Sequence, residues 1–208
     1  MTEYDVFDKK VVVARCNDDQ KVSYFNRDFR NNLLLSIKMA NTKRREQGSA
    51  IPNKVGHLES STYVNLKNLL PLNQRGGEDL KEWIRKTLLK NANHFVNFIP
   101  TDVDLDNSWA NIMYKGSSVK IHVHDSDNSC ASILYIDCPK DCAKLGFVAE
   151  EILDNQKLHL SDYTEPQKFI FDNQPGDFIM YPNDLPHGVT MHMSDSPRIC
   201  IVIYAKYV

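Results

Sequence analysis

The sequence lacks any long apolar run. Nowhere do about 18 apolar residues follow one another, so neither a membrane span nor a membrane partner is expected. It also lacks a dominant charge. Lys and Arg number 25 against 27 Asp and Glu, a formal net charge of −2. A general nucleic-acid binder would carry a basic stripe, so no nucleic-acid partner is expected. The one dense basic cluster, Lys43, Arg44 and Arg45, reads as the solvated end of a helix. A disulfide framework is missing as well. The five cysteines (Cys16, Cys130, Cys138, Cys142 and Cys200) are odd in number and irregular in spacing. That suits reduced thiols and a cytoplasmic location. Cys138 and Cys142 form a C-x3-C pair with no second pair, which argues against a zinc knuckle. The opening MTEYDVFDKK has no basic stretch leading into an apolar one, so no secretory signal is expected. Internal repeats and low-complexity segments are absent.

What is present falls into two textures. VVVAR (11–15) reads as a short strand. Phe25, Phe29, Leu33, Ile37 and Ala40 recur at helical spacing and predict a helix from about Phe25 to Arg45. A second helix is predicted from about Glu78 to Phe95, with early acids at Glu78 and Asp79 and Leu80, Trp83, Ile84 and Leu88 near one face. After Pro100 short runs alternate in period two: SWANIMY, SVKIHVH, SILYI, KFIFD, DFIMY and ICIVIYAKY. Turn clusters separate them, which predicts an antiparallel sandwich or barrel. Residues 1–208 are therefore expected to form a single domain, with a mostly helical buttress over 1–99 and a β-core over 100–208.

The chemistry concentrates in IHVHD (121–125). A strand puts residues i and i+2 on one face, so His122 and His124 point the same way and Val123 the other. Two imidazoles side by side suit a divalent metal better than a core, although a polar pair on an edge strand has the same spacing. Downstream, PGDFIMYPNDLPHGV (175–189) runs turn, strand, turn and then His187. A histidine after a turn and leading into the apolar Gly188–Val189 is placed to face inward; the alternative is a surface turn residue. Together the three histidines favour a metal site. His57, His94, His159 and His192 lack such a context and read as surface or satisfied residues.

From Trp109 to Tyr204 the sequence resembles the double-stranded β-helix of the 2-oxoglutarate/Fe(II)-dependent oxygenases, and within it the small bacterial and phage group. The elements carrying the resemblance are Trp109–Asn111, Gly116, His122–His124, Ser132–Tyr135, Pro182–His187 and Arg198–Ile201. It implies a mainly β jelly roll, cupin-like, with N-terminal helices packed on it. It also implies a dioxygenase that binds Fe(II) and 2-oxoglutarate and hydroxylates a small-molecule or peptide substrate. By position, His122 and His187 become iron ligands. Arg198, eleven residues after His187, becomes the partner of the far carboxylate of 2-oxoglutarate. A guanidinium fork matches a carboxylate bidentately; the alternative is a salt bridge at the strand start. Tyr135 and Asn111 become cosubstrate hydrogen-bonders.

Two departures stand out. The class usually uses two histidines and one carboxylate. Here His124 occupies the second position, so either the site has three histidines or Asp125 or Asp127 swings in. Asp125 needs a bulge to do so, because a regular strand points it away. The second departure is Cys200, where the family often has serine. The same spacing (Gly116, five residues, His122; Gly176, five residues, Pro182, then His187) also resembles the two cupin motifs. A three-histidine cupin-type dioxygenase that uses no 2-oxoglutarate is thus an alternative, but it gives Arg198 no task. A non-catalytic β-helix acting as a binding module is the third.

Overall fold

The computed structural model describes residues 1–16, 77–95, 99–124, 130–154 and 156–207, together with 31, 35, 39, 64 and 65. Of the helix expected from Phe25 to Arg45, only Asn31, Leu35 and Met39 are described; all three are helical and exposed. The Lys43–Arg45 cluster, His57, Asp125 and Asp127 lie outside the described residues.

Eleven strands and one α-helix have described spans. They are β1 (Thr2–Val6), β2 (Lys9–Arg15), β3 (Val64–Asn65), α1 (Gly77–Asn91), β4 (Pro100–Met113), β5 (Val119–His122), β6 (Ala131–Asp137), β7 (Leu145–Val148), β8 (Lys168–Ile170), β9 (Asp177–Tyr181), β10 (His187–Val189) and β11 (Arg198–Tyr207). The major sheet has the order β1-β2-β9-β6-β11-β4-β3, and the minor sheet the order β5-β10-β7-β8. All of the paired strands run antiparallel. This is the jelly roll the sequence predicts.

The major sheet is buried on both faces. One face carries Val12, Ala14, Leu134, Ile136, Phe178, Met180, Ile199 and Ile201, and meets Leu80, Ile84 and Leu88 of α1. Those three recur at helical spacing, which lines them up on one side of the helix. The opposite face carries Val11, Val13, Ile133, Tyr135, Ile179, Tyr181 and Cys200, and meets Leu145, Phe147 and Phe171 from the minor-sheet side. Two buried faces explain why DFIMY is buried at all five positions and has no polar face.

Differences from the sequence reading are local. Residues Thr2–Val6 form a strand, pairing with β2 from Thr2↔Val13 to Val6↔Lys9. Two short strands, β7 and β10, were not apparent from period-two alternation. The turn before β9 was. Asp177 N–H donates to the Gln174 carbonyl at 3.1 Å, with Pro175 and Gly176 between them. Gly176 has φ 95°, which a type II turn demands at that position.

Gly188, at the centre of β10, is a close-approach residue. A Cβ there would lie 2.9 Å from the Val119 carbonyl oxygen of β5. Backbone cannot swing aside as a side chain can. Gly188→Ala is therefore expected to cost about 1–3 kcal/mol of stability. Thermal denaturation should show a fall of about 2–4 °C for each of those kcal/mol.

Candidate metal centre and its buried arginine

His122 and His187 lie opposite each other in the β5–β10 ladder. Their ring centroids are 4.4 Å apart. His124 lies two residues past the end of β5, yet it stays with them, at 5.2 Å from His122 and 4.8 Å from His187. Its N–H donates to the Asn183 carbonyl at 3.0 Å, which holds the chain extended beyond the ladder. Val123, facing the other way, is 50% exposed. The period-two argument therefore holds through His124. The three histidines offer ligand atoms that all lie within 4.8 Å of one another, a set able to hold a metal ion.

Two of the rings are oriented by backbone. His122 Nδ1 lies 2.9 Å from the Lys120 carbonyl, and His187 Nδ1 lies 2.9 Å from the Leu185 carbonyl. A carbonyl only accepts, so Nδ1 carries the proton in both rings, and Nε2 of the neutral ring presents a lone pair. This is the arrangement that fixes a metal-binding imidazole. Burial favours the neutral form. It lowers the His122 pKa, and it holds His187 well below the usual histidine range, helped by His122 and His124 beside it. Tyr181 supports the cluster from the major sheet, with its ring 4.8 Å from that of His187.

Arg198 opens β11 and is 1% exposed. Its neighbours are all uncharged. Nη1 donates to Met113 Sδ at 3.1 Å, and Nη2 donates to the Tyr135 hydroxyl at 3.1 Å. The guanidinium carbon also lies 4.9 Å from the centre of the Tyr135 ring. Nε is buried without a partner. Cys138, Cys142 and Cys200 surround the group, but burial pushes each thiol up, against the pull of Arg198, so they stay protonated. Burial raises the Tyr135 phenol in the same way. No ion pair joins Arg198 to a carboxylate among the described residues. A local register shift between Ile199 and Cys200, where β11 meets β6, sits beside this group.

Asn111 pairs with Cys200 in the β4–β11 register, one alternate position from Met113, which pairs with Arg198. It therefore belongs to the same face as the Arg198 contact. His192 is fully buried and satisfied. Ala143 N–H donates to its Nδ1 at 3.1 Å, and its Nε2 lies 2.8 Å from the Ser196 carbonyl. His94 lies 3.4 Å from Glu3, and His159 caps a short 3-10 turn. Sequence reasoning passed over Asn183, which is 2% exposed and adjoins His124. The available signal was a polar residue two positions from inward-facing Tyr181 and two from Leu185.

Solved structures similar to this chain share its fold. A prolyl-4-hydroxylase from Pseudomonas putida superposes with a TM-score of 0.56 at 10% identity, covering 95% of this chain and 92% of that one. HygX from Streptomyces hygroscopicus, solved with nickel, 2-oxoglutarate and hygromycin B bound, gives 0.57 at 14% identity, covering 93% and 81%. A Trichoplax adhaerens prolyl hydroxylase, in complex with a peptide fragment of hypoxia inducible factor, gives 0.57 at 10% identity, covering 94% and 82%. No protein of curated function matches at the level of sequence. Residues 107–203 match the family model described as "Putative 2OG-Fe(II) oxygenase". That stretch holds the three histidines, Tyr135, Asn111 and Arg198, and over it the β-core of this chain is similar to the 2-oxoglutarate/Fe(II)-dependent oxygenases.

Proposed function

We propose that His122, His124 and His187 hold Fe(II), and that Arg198 seats the far carboxylate of 2-oxoglutarate with Tyr135 beside it. The observation that carries this reading is Arg198 itself, a buried guanidinium surrounded by neutral groups. Burying an unpaired charge costs several kcal/mol, so the site is built for an anion that arrives from outside. A bidentate carboxylate fits the planar fork, and the unpaired Nε adds a donor. The protonated Tyr135 hydroxyl accepts from Nη2 and keeps its own proton to donate to that carboxylate. Asn111, on the same face of β4, adds an amide for the cosubstrate.

At the other end, Lys120 and Leu185 carbonyls hold two imidazoles with Nε2 exposed to the metal. Imidazole nitrogens suit iron, and three on one side leave the other side for cosubstrate and oxygen. We read His124, and not Asp125, as the third ligand, because its ring already lies with the other two. When bound, Fe(II) and 2-oxoglutarate supply oxidative decarboxylation coupled to oxidation of a substrate C–H bond, with hydroxylation as the outcome. Tyr181 and Phe147 wall the histidine cluster with apolar surface and exclude water.

The single-domain reading of residues 1–208 is supported by β1 and β2, which lie in the same sheet as β4 and β11. None of the helices among the described residues is long and apolar enough to cross a membrane. Five free cysteines support a cytoplasmic location. The substrate is read as a small molecule or peptide, with no part for nucleic acid, in keeping with the near-neutral charge.

In an anaerobic Co(II) titration followed by visible absorption, His122→Ala, His124→Ala and His187→Ala should each weaken binding by at least about 100-fold. Asp125→Ala should stay within about twofold of the parent in the same titration; the opposite pattern at 124 and 125 would move the third ligand to the carboxylate. Arg198→Met should leave Co(II) affinity unchanged while weakening 2-oxoglutarate binding by about 100-fold or more, measured by calorimetry on the Co(II) protein. Arg198→Lys should lose most of that affinity too, since a point charge does not replace a fork. Without ligand, Arg198→Met should melt no lower than the parent, because an apolar side chain relieves a buried charge.

A further inference from the structure

The C-x3-C pair has no part in the histidine cluster, yet its two thiols meet. Cys138 and Cys142 flank the turn that leaves β6. Cys142 N–H donates to the Pro139 carbonyl at 3.1 Å, and Asp141, with φ 61°, supplies the left-handed residue that closes the turn. Both arms are pinned. Upstream, Asp137 pairs with Ile199 of β11. Downstream, Ala143 N–H donates to His192 Nδ1 and Lys144 N–H donates to Thr190 Oγ1. Across this fixed turn the Cys138 and Cys142 side chains share a hydrogen bond. Both residues are half-buried, so a small oxidant reaches them, whereas Cys16, Cys130 and Cys200 are buried. The Arg198 guanidinium acts on both sulfurs, its positive charge opposing the effect of burial.

A disulfide needs the sulfurs about 2.0 Å apart, and thiols already in hydrogen-bonding contact reach that distance by side-chain rotation. We propose that Cys138 and Cys142 are a redox-active dithiol that closes to a disulfide under hydrogen peroxide, with the charge of Arg198 as its activating group. Cys142 is the less buried sulfur and reacts first. Its thiolate attacks one peroxide oxygen, the O–O bond breaks, and the departing hydroxide takes up the thiol proton as water. The Cys138 sulfur then attacks the Cys142 sulfenic acid. The S–S bond forms, the S–O bond breaks, and hydroxide leaves with the Cys138 proton as a second water. The two thiols lose two electrons and the peroxide gains them. Burial keeps both sulfurs mostly protonated at neutral pH, so only a small thiolate fraction reacts and the pair rests reduced. None of these steps requires iron or 2-oxoglutarate.

The test treats the full chain with hydrogen peroxide and follows intact mass and peptide maps. The parent should lose two hydrogens, with Cys138 linked to Cys142, and dithiothreitol should restore them. Cys138→Ala and Cys142→Ala should each abolish the loss. The role of charge is read from the rate. Arg198→Met and Arg198→Gln, both neutral, should close at least about threefold more slowly. That figure takes a rise of about one unit in thiol pKa, half offset by the greater nucleophilicity of a more basic thiolate. Arg198→Lys keeps the charge and should stay within about twofold of the parent. Oxidation to sulfinic acid with no disulfide, or a bond from Cys138 to Cys200, would overturn the pairing. Neutral variants that close as fast as the parent, or an Arg198→Lys protein as slow as they are, would overturn the part given to Arg198.

Discussion

A positive charge buried without a negative one organises this molecule. Arg198 lies at the start of a ten-residue strand whose other inward positions are apolar, and every group that touches it is neutral. Without ligand, a chain arranged for stability alone would not put a guanidinium there. The surroundings are consistent with a site kept ready. Tyr135 and Met113 fix the fork, and the thiols around it are too deeply buried to ionise and neutralise it. The cost is met by the two apolar clusters on either face of the major sheet.

The histidine cluster is prepared by a different device. Here the backbone decides, since carbonyls two residues upstream hold the Nδ1 protons of His122 and His187. The same i to i−2 relation appears in both cases, so each ring is oriented by its own strand approach. The hydrogen bonds that orient these two rings therefore do not depend on distant side chains. His124 is held through its main chain instead, by the Asn183 carbonyl. One turn, Pro182 to Pro186, therefore governs two of the three rings.

Much of this was legible in the sequence. Period-two alternation located β4, β5, β6, β8, β9 and β11, because those strands are rich in β-formers and bounded by turn residues. Helical spacing located α1. Period two missed β7 and β10, because LGFV and HGV are buried at every position and carry no polar alternation to read. The strand at Thr2–Val6 was hidden by its polar, mostly exposed side chains. At the site, H-x-H spacing placed two rings on one face, and a turn placed the third. The environment of Arg198 could not be read, because Met113, Tyr135 and Cys138 meet it only through strand pairing across 60 to 85 residues. Asn183 was invisible for a related reason: an asparagine in a Pro-flanked turn looks like ordinary turn chemistry until its burial is known.

The pairing of β2 with β9 carries a consequence for how the protein is made. Arg15 bonds Asp177 at 3.0 Å across 162 residues of chain. Closing a loop of that length costs more entropy than closing a short one, although the cost grows only with the logarithm of loop length. The β1–β2 hairpin can pair locally, but it joins the major sheet only once β9 is available. The strand that completes that sheet, β9, runs directly into the turn that sets His124 and His187. The N-terminal hairpin and the turn that positions His124 and His187 are thus coupled through a single strand.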